Sequence, residues 1–152
     1  KFKQMKTKHF KLFIATIVLS LTISCKVAPE AIEYGKDQCT SCKMNIVDQT
    51  HSAQFVTAKG KQFKFDAIEC MVNYLDQNSE EKTAILWVAD YANLGEMTGA
   101  ETATYLISEG IKSPMGANLS AFSTKITAEE FQQKHTGEIF SWELLKQQLS
   151  DK

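Results

Sequence analysis

A β-hairpin followed directly by a helix is the strongest structural signal in this sequence. Apolar and polar residues alternate over 53–57 and again over 62–65, with a Lys-Gly pair between the two runs. Alternation with a period of two is typical of strands, and a short linker containing glycine is typical of a hairpin turn. Asp66 and Glu69 then form a capping-box pattern, which predicts that a helix begins there. The expected order is therefore strand, strand and helix.

The rest of the chain repeats this order of elements. A strand pattern over 83–89 completes the first set, and Gly95 and Gly99 mark a joint. Beyond it we predict strands at 101–107, 119–123 and 138–140, a helix opened by the capping box Thr127-Ala128-Glu129-Glu130, and a terminal helix at 142–149. Helices separated from antiparallel hairpins indicate the α+β class. The expected fold is two consecutive ββαβ-like units, about 38–94 and 95–152, which suggests a structural duplication.

A basic and then apolar leader begins the chain. Five lysines and no acid stand within residues 1–11, and an apolar run follows over 12–23. This pattern is typical of a secretory signal, and the run is shorter than the ~20 residues of a spanning helix. Ser24 directly precedes Cys25, as a small residue does in a lipobox, and acyl chains on Cys25 would anchor the protein in a membrane. We expect a lipoprotein signal peptide over 1–24, a lipidated Cys25 with a tether over 25–37, and a folded domain over 38–152.

The expected location is the cell envelope, lipid-anchored and exposed to the periplasm or the outer face. A plain cleaved signal that leaves Cys25 as a free thiol is the alternative. Five of the 17 basic residues lie in the leader and all 18 acidic residues follow Cys25, so the mature part has a net charge of about −6. This acidic chain has no basic stripe and contains no arginine, which excludes nucleic acid as a partner.

Three sulfur atoms lie close together in the motif Cys39-x-x-Cys42-x-Met44. Thiolate and thioether donors favour Cu(I). A disulfide between the two cysteines, with Met44 as an ordinary packing residue, is the simpler alternative. Cys70 adds a further thiol, because it lies nearly opposite the apolar face of the predicted helix and is therefore expected to be exposed or to face another element, such as the cysteine loop. Its neighbour Met71 is mainly a core candidate and secondarily a metal ligand.

The ordered set of motifs resembles the NosL family, the nitrous oxide reductase accessory lipoproteins. The resemblance rests on the lipobox Cys25 and then, in order, on Cys39-x-x-Cys42-x-Met44, Ala53-Gln54, Phe65-Asp66, Cys70-Met71, Tyr74-Leu75, Ser113-Pro114-Met115-Gly116 and Ala121-Phe122. Lys43 stands where glycine is usual in the family, and a single Asp66 stands where a pair is common. The resemblance implies two small ββαβ-type units and a Cu(I) protein of the envelope that uses Cys39, Cys42 and Met44. It also makes His51 a candidate nitrogen donor.

The function expected from this resemblance is a membrane-anchored Cu(I) metallochaperone, with no catalysis of its own, that supplies a copper-receiving protein of the nitrous oxide reductase assembly system. The candidate metal ligands are Cys39, Cys42, Met44, His51, Cys70 and Met71. One alternative is an envelope thiol-disulfide redox lipoprotein, which is disfavoured because no helix is predicted directly after the Cys-x-x-Cys pair. Others are a zinc module that uses Cys39, Cys42, Cys70 and His51, and a protein-binding lipoprotein in which the sulfurs are a structural staple.

Overall fold

The computed structural model describes residues 27–79 and 82–150. The predicted signal peptide and Cys25 therefore lie outside the described residues. Seven strands and three helices occur in the described part of the chain. They are β1 (Ala53–Thr57), β2 (Gln62–Phe65), α1 (Ile68–Gln77), β3 (Thr83–Ala89), β4 (Met97–Gly99), β5 (Thr104–Ile107), β6 (Leu119–Phe122), α2 (Lys125–His135), β7 (Glu138–Phe140) and α3 (Trp142–Ser150). Among these helices, none is long and apolar enough to cross a membrane.

The strands form two antiparallel sheets, which confirms the α+β class. The first sheet has the order β2-β1-β3-β4 and the second has the order β6-β5-β7. In each sheet, two consecutive strands form a hairpin: β1 with β2, and β5 with β6. The strand after the helix, β3 or β7, pairs with the other edge of the hairpin's first strand. The two units thus share the ββαβ order and the same central strand. β4 adds to the first sheet, although its residues follow the boundary at residue 95 that the sequence suggests.

One hydrophobic core joins the two units. Its buried members come from both sheets and from α1 and α3, and they include Phe55, Phe65, Ile68, Tyr105 and Leu145. Every residue of β1 is buried because this strand has a partner on each side and α1 across one face. The ring centroids of Phe55 and its hairpin partner Phe63 lie 4.4 Å apart. Burial of this shared apolar surface is the main force that holds the units together.

The segment predicted as a tether differs in the structure. Residues 28–37 lie along the first sheet, where Lys64 Nζ donates to Ala31 O at 2.8 Å and Gln62 Nε2 donates to Ala28 O at 3.0 Å. Ile32 and Tyr34 pack against the core. The physical reason is that β2 is an edge strand whose polar side chains can bind a passing chain. This part of the segment therefore belongs to the folded domain.

Both predicted helix starts also differ in detail. α1 begins after Ala67, whose side chain makes no cap hydrogen bond. The Asp66 side chain, which the capping-box pattern assigns to the cap, is buried instead. α2 begins earlier than its capping-box pattern indicates, with Thr124 as the N-cap residue that accepts a hydrogen bond from the backbone N–H of Thr127. The helices themselves lie where they are predicted.

A substitution at Gly137 tests the tight connection between α2 and β7. Gly137 has φ +109°, and a Cβ atom there would lie 2.3 Å from Ile107 O. We expect Gly137→Ala to lower the free energy of unfolding by about 3 kcal/mol, since backbone strain and a clash with β5 act together. The control is Gly95→Ala, where φ is +85° and a Cβ meets open space, and it should cost only about 1 kcal/mol. Equal losses in urea unfolding would contradict this account.

Candidate metal centre

Three cysteine thiols meet in the first unit. Cys39 and Cys42 come from the loop before β1, Cys70 comes from the first turns of α1, and their Sγ atoms all lie within 4.8 Å of one another. All three are free thiols. Cys39 and Cys70 are buried, whereas Cys42 is half-buried. The structure thus brings Cys70 to the cysteine loop, which is one of the two arrangements expected from its position on the helix.

A tight turn aims the loop cysteines inward. Cys39 N donates to Met44 O at 2.8 Å, and Lys43 N donates to Cys39 O at 3.0 Å. Lys43 has φ +65°, a left-handed conformation that glycine adopts at less cost than lysine does. Thr40 N donates to Lys64 O at 2.8 Å, which ties the loop to β2. Because β2 leads directly into α1, the same hairpin positions the loop and the helix that carries the third thiol.

The pKa values of the three cysteines are shifted in different directions. The pKa of Cys39 is lowered to about 4, first by the hydrogen bond from the Cys70 thiol and then by backbone N–H groups of Asp66 and Cys42. The pKa of Cys70 is raised because its thiol donates to Cys39, and burial raises it further. Burial likewise raises the pKa of Cys42. Cys39 is therefore the cysteine of the cluster that loses its proton most readily, whereas Cys42 and Cys70 hold theirs more tightly.

Two buried carboxylates flank the cluster on the α1 side. Val47 N–H donates to Asp66, whose pKa is raised chiefly by burial and also by the charge of Cys39. Glu69 Oε1 accepts from Ser113 Oγ at 3.0 Å and from Ala117 N at 3.3 Å. One oxygen of each carboxylate, Asp66 Oδ1 and Glu69 Oε2, is buried without a hydrogen-bond partner. These carboxylates increase the negative potential around the thiols, which favours a bound cation.

Sequence reasoning missed the part that Glu69 has in this arrangement. The capping-box pattern assigns its side chain to the start of α1, whereas the structure uses it to hold the loop of residues 113–117 in the second unit. Two polar groups that pair across 44 residues leave no local pattern. The only available signal is the turn-rich character of the Ser-Pro-Met-Gly loop.

His51 lies apart from the three thiols. Its Nδ1 is 3.1 Å from Asp48 Oδ2 and 2.9 Å from Thr50 Oγ1, and its Nε2 is 3.3 Å from Ser120 Oγ. The side chain is buried, and its ring also contacts that of Tyr91. Both ring nitrogens therefore have partners: Nδ1 is held within its own loop, and Nε2 links the first unit to β6. Among the described residues, the cluster of close metal-binding side chains comprises the three cysteines and does not include His51.

The two candidate methionine ligands have opposite environments. Met44 is 55% exposed at the tip of the cysteine loop, two residues after Cys42. Met71 is fully buried in the hydrophobic core behind Cys70. Met115, in the loop held by Glu69, is partly exposed. The exposed thioether of Met44 is the one that can approach the half-buried side of the thiol cluster if the loop adjusts.

Comparisons with known proteins identify a family for this chain. The NosL family model matches residues 31–150. The fold is similar to that of a solved structure, the "Crystal structure of the copper chaperone NosL from Shewanella denitrificans", with a TM-score of 0.67 and 19% identity over 78% of this chain and 95% of that chain. No significant match was found among curated proteins. At this identity, the structural similarity supports the fold, while the family match covers nearly all of the described residues.

The lowered pKa of Cys39 has a measurable consequence for pH dependence. Thiolate ultraviolet absorbance should persist as the pH falls from the usual thiol pKa of about 8.5 to about 4, and be absent over this range in Cys39→Ser. Because the unfolded chain binds this proton more tightly, the thiolate's contribution to stability is complete above the unfolded pKa. It declines as the pH falls and is lost at the folded pKa. A thiolate signal that disappears near the usual pKa would contradict the assignment.

Proposed function

We propose that this chain, which belongs to the NosL family, binds Cu(I) through Cys39, Cys42 and Cys70 and passes the ion to another protein. The observation that carries this proposal is the grouping of three free thiols within 4.8 Å at a partly open site. The solved neighbour is described as a copper chaperone, which agrees with this assignment. Copper is here the cargo of the protein, and no catalysis of its own is needed.

The donor set favours Cu(I) over harder ions and over zinc. Thiolate sulfur is a soft donor, whereas Ca²⁺ and Mg²⁺ require oxygen ligands. A structural zinc site is tetrahedral and needs a fourth ligand. The nitrogen donor foreseen for such a zinc module, His51, is held by Asp48 and Ser120 instead. Cu(I) accepts fewer ligands than zinc does, so three thiols are sufficient, with Met44 as an auxiliary donor.

Loading with Cu(I) is coupled to loss of a proton. The lowered pKa of Cys39 favours its thiolate form, which offers the arriving ion a charged ligand. A second thiolate forms when Cys70 or Cys42 gives up its proton, since a metal-bound thiol is deprotonated. The buried carboxylates of Asp66 and Glu69 oppose the build-up of further negative charge, and the incoming cation offsets it.

Release proceeds from the Cys42 side of the cluster. Cys39 and Cys70 are buried in the protein, whereas Cys42 is half-buried next to the exposed Met44. A receiving protein with its own soft ligands therefore reaches the ion at Cys42. Exchange of one sulfur ligand at a time then transfers Cu(I) without the free ion entering solution.

The family and the leader support two further proposals, one on the receiving protein and one on the location. We propose that the recipient belongs to the nitrous oxide reductase assembly system, in keeping with the family resemblance. We also propose that a lipid on Cys25 holds the domain at a membrane, facing the periplasm or the outer side of the envelope. The basic and apolar leader that ends at Cys25 supports this location.

A Cu(I) titration tests the metal assignment. We expect reduced, metal-free protein to bind one tight Cu(I) equivalent in anaerobic competition with a chelator, and to bind Zn(II) less tightly. Cys39→Ser and Cys70→Ser each remove a buried thiol, so their Cu(I) affinity should fall by on the order of 100-fold, about 2.8 kcal/mol. Met44→Leu should have a smaller effect.

Ser41→Ala is the matched control, because Ser41 is exposed in the same loop and is not a candidate ligand. It should bind Cu(I) like the unmodified protein. An unchanged affinity in Cys70→Ser would overturn the three-cysteine assignment. Tighter Zn(II) than Cu(I) would favour the zinc module, and no metal binding at all would favour the staple.

The anchor has its own test. Cys25→Ala should move the protein expressed with its leader from the membrane fraction to the soluble fraction, because an acyl chain contributes about 0.8 kcal/mol per buried methylene. Cys42→Ala, which removes a thiol from the metal centre, should stay in the membrane fraction. Retention of both variants at the membrane would argue against lipidation at Cys25.

A further inference from the structure

We propose that Cys42 is also a site of covalent modification by thiol-disulfide exchange. In the metal-free protein, its thiol exchanges with a low-molecular-weight disulfide, and Cys39 then displaces the small thiol to form a Cys39–Cys42 disulfide. Cys70 keeps its thiol. The chemistry depends only on the arrangement of the three cysteines, whereas its effect on copper rests on the function proposed above.

Exposure selects the first sulfur to react. Cys39 is fully buried and Cys70 is 5% exposed, whereas Cys42 is half-buried. The residues on either side of it, Ser41 and Lys43, are exposed, so a small molecule can approach along the loop. Exchange requires contact between an attacking thiolate and a disulfide sulfur. Among the three clustered thiols, Cys42 is the one that solvent reaches.

Proximity within one turn selects the second sulfur. The Sγ atoms of Cys39 and Cys42 lie within 4.8 Å of each other. Exchange needs this close approach of the attacking sulfur to the mixed disulfide. Cys39 and Cys42 also belong to one tight turn, closed by the 3.0 Å bond from Lys43 N to Cys39 O. Residues three apart in such a turn are close enough for a disulfide.

The Cys39–Cys42 disulfide forms in two exchange steps. The Cys42 thiolate, formed when its thiol loses a proton to solvent, attacks one sulfur of the small disulfide, so that a mixed disulfide forms and one small thiolate leaves. The Cys39 thiolate then attacks Cys42 Sγ, the Cys39–Cys42 bond forms, and the second small thiolate leaves. Two electrons pass from the protein sulfurs to the small disulfide. Each released thiolate takes a proton from solvent.

The resulting disulfide and copper binding exclude each other. Closure of the disulfide removes two of the three thiols, so Cu(I) is left with Cys70 and thioether donors. Conversely, Cu(I) bound to Cys39 and Cys42 occupies the sulfurs that would react. The site would therefore close when it is empty in an oxidising environment and be protected when it is loaded.

The experiment uses the metal-free, reduced full chain with Cys25→Ala throughout, so that the clustered cysteines are the remaining thiols. Oxidised glutathione is the probe, and acid-quenched samples are mapped by mass spectrometry. We expect a transient glutathione adduct on Cys42 that converts to the Cys39–Cys42 disulfide. In Cys39→Ser/Cys70→Ser the adduct should accumulate, because neither buried thiol remains to displace glutathione.

Two controls make the assignment specific. Cys42→Ser should react at least about tenfold more slowly, and Ser41→Ala should react like the parent protein. Circular dichroism of each variant shows whether the fold is kept, and Cys42→Ser changes a single sulfur atom at a half-buried position. An adduct that maps to Cys70, or an unchanged rate in Cys42→Ser, would overturn the proposal.

Adding Cu(I) before glutathione distinguishes a failure of this proposal from a failure of the proposed function. One equivalent of Cu(I), added anaerobically before glutathione, should slow the exchange at least about tenfold, since bound thiolates are withheld from reaction. If exchange at Cys42 proceeds in the metal-free protein but Cu(I) gives no protection, the modification site stands and the copper ligand assignment is overturned.

Discussion

The site depends on the contact between the buried Cys39 sulfur and the start of α1. The backbone N–H of Asp66 and the thiol of Cys70 both donate to this sulfur, so a negative charge is held where burial alone would disfavour it. The same contact fixes the loop against the helix, because Asp66 lies between the end of β2 and the first turn of α1. One group of hydrogen bonds thus stabilises negative charge on Cys39, holds the cysteine loop against the helix and positions the thiol of Cys70.

The second unit contributes to the site without supplying a thiol. Glu69, next to Cys70 in α1, reaches Ser113 of the second unit, and His51 of the first unit reaches Ser120 of β6. Buried polar groups are costly when they lose their partners, so these links restrict how the units can move relative to each other. The two units also share one hydrophobic core, so both of them help to hold the cysteines in position.

Local patterns in the sequence were sufficient for the order of the elements other than β4, which lies where the sequence suggested a joint between the units. The alternation before and after Gly60 predicted the first hairpin, and the position of Cys70 away from the apolar face of α1 predicted that it is either exposed or faces another element. Contacts between distant residues were not accessible in this way. Asp66 and Glu69 have the pattern of a cap, but their side chains are used for tertiary contacts. His51 was a candidate nitrogen donor, and its contact with Ser120, 69 residues away, leaves no local pattern.

The docking of residues 28–37 on the first sheet also sets the reach of the protein. With an anchor at Cys25, only three peptide units separate the lipid from Ala28, whose carbonyl is already hydrogen-bonded to Gln62. An extended chain of that length spans roughly 10 Å. The domain would then lie almost on the bilayer, with the β2 edge near the headgroups, and its encounters with a recipient would be confined to a thin layer at the membrane surface.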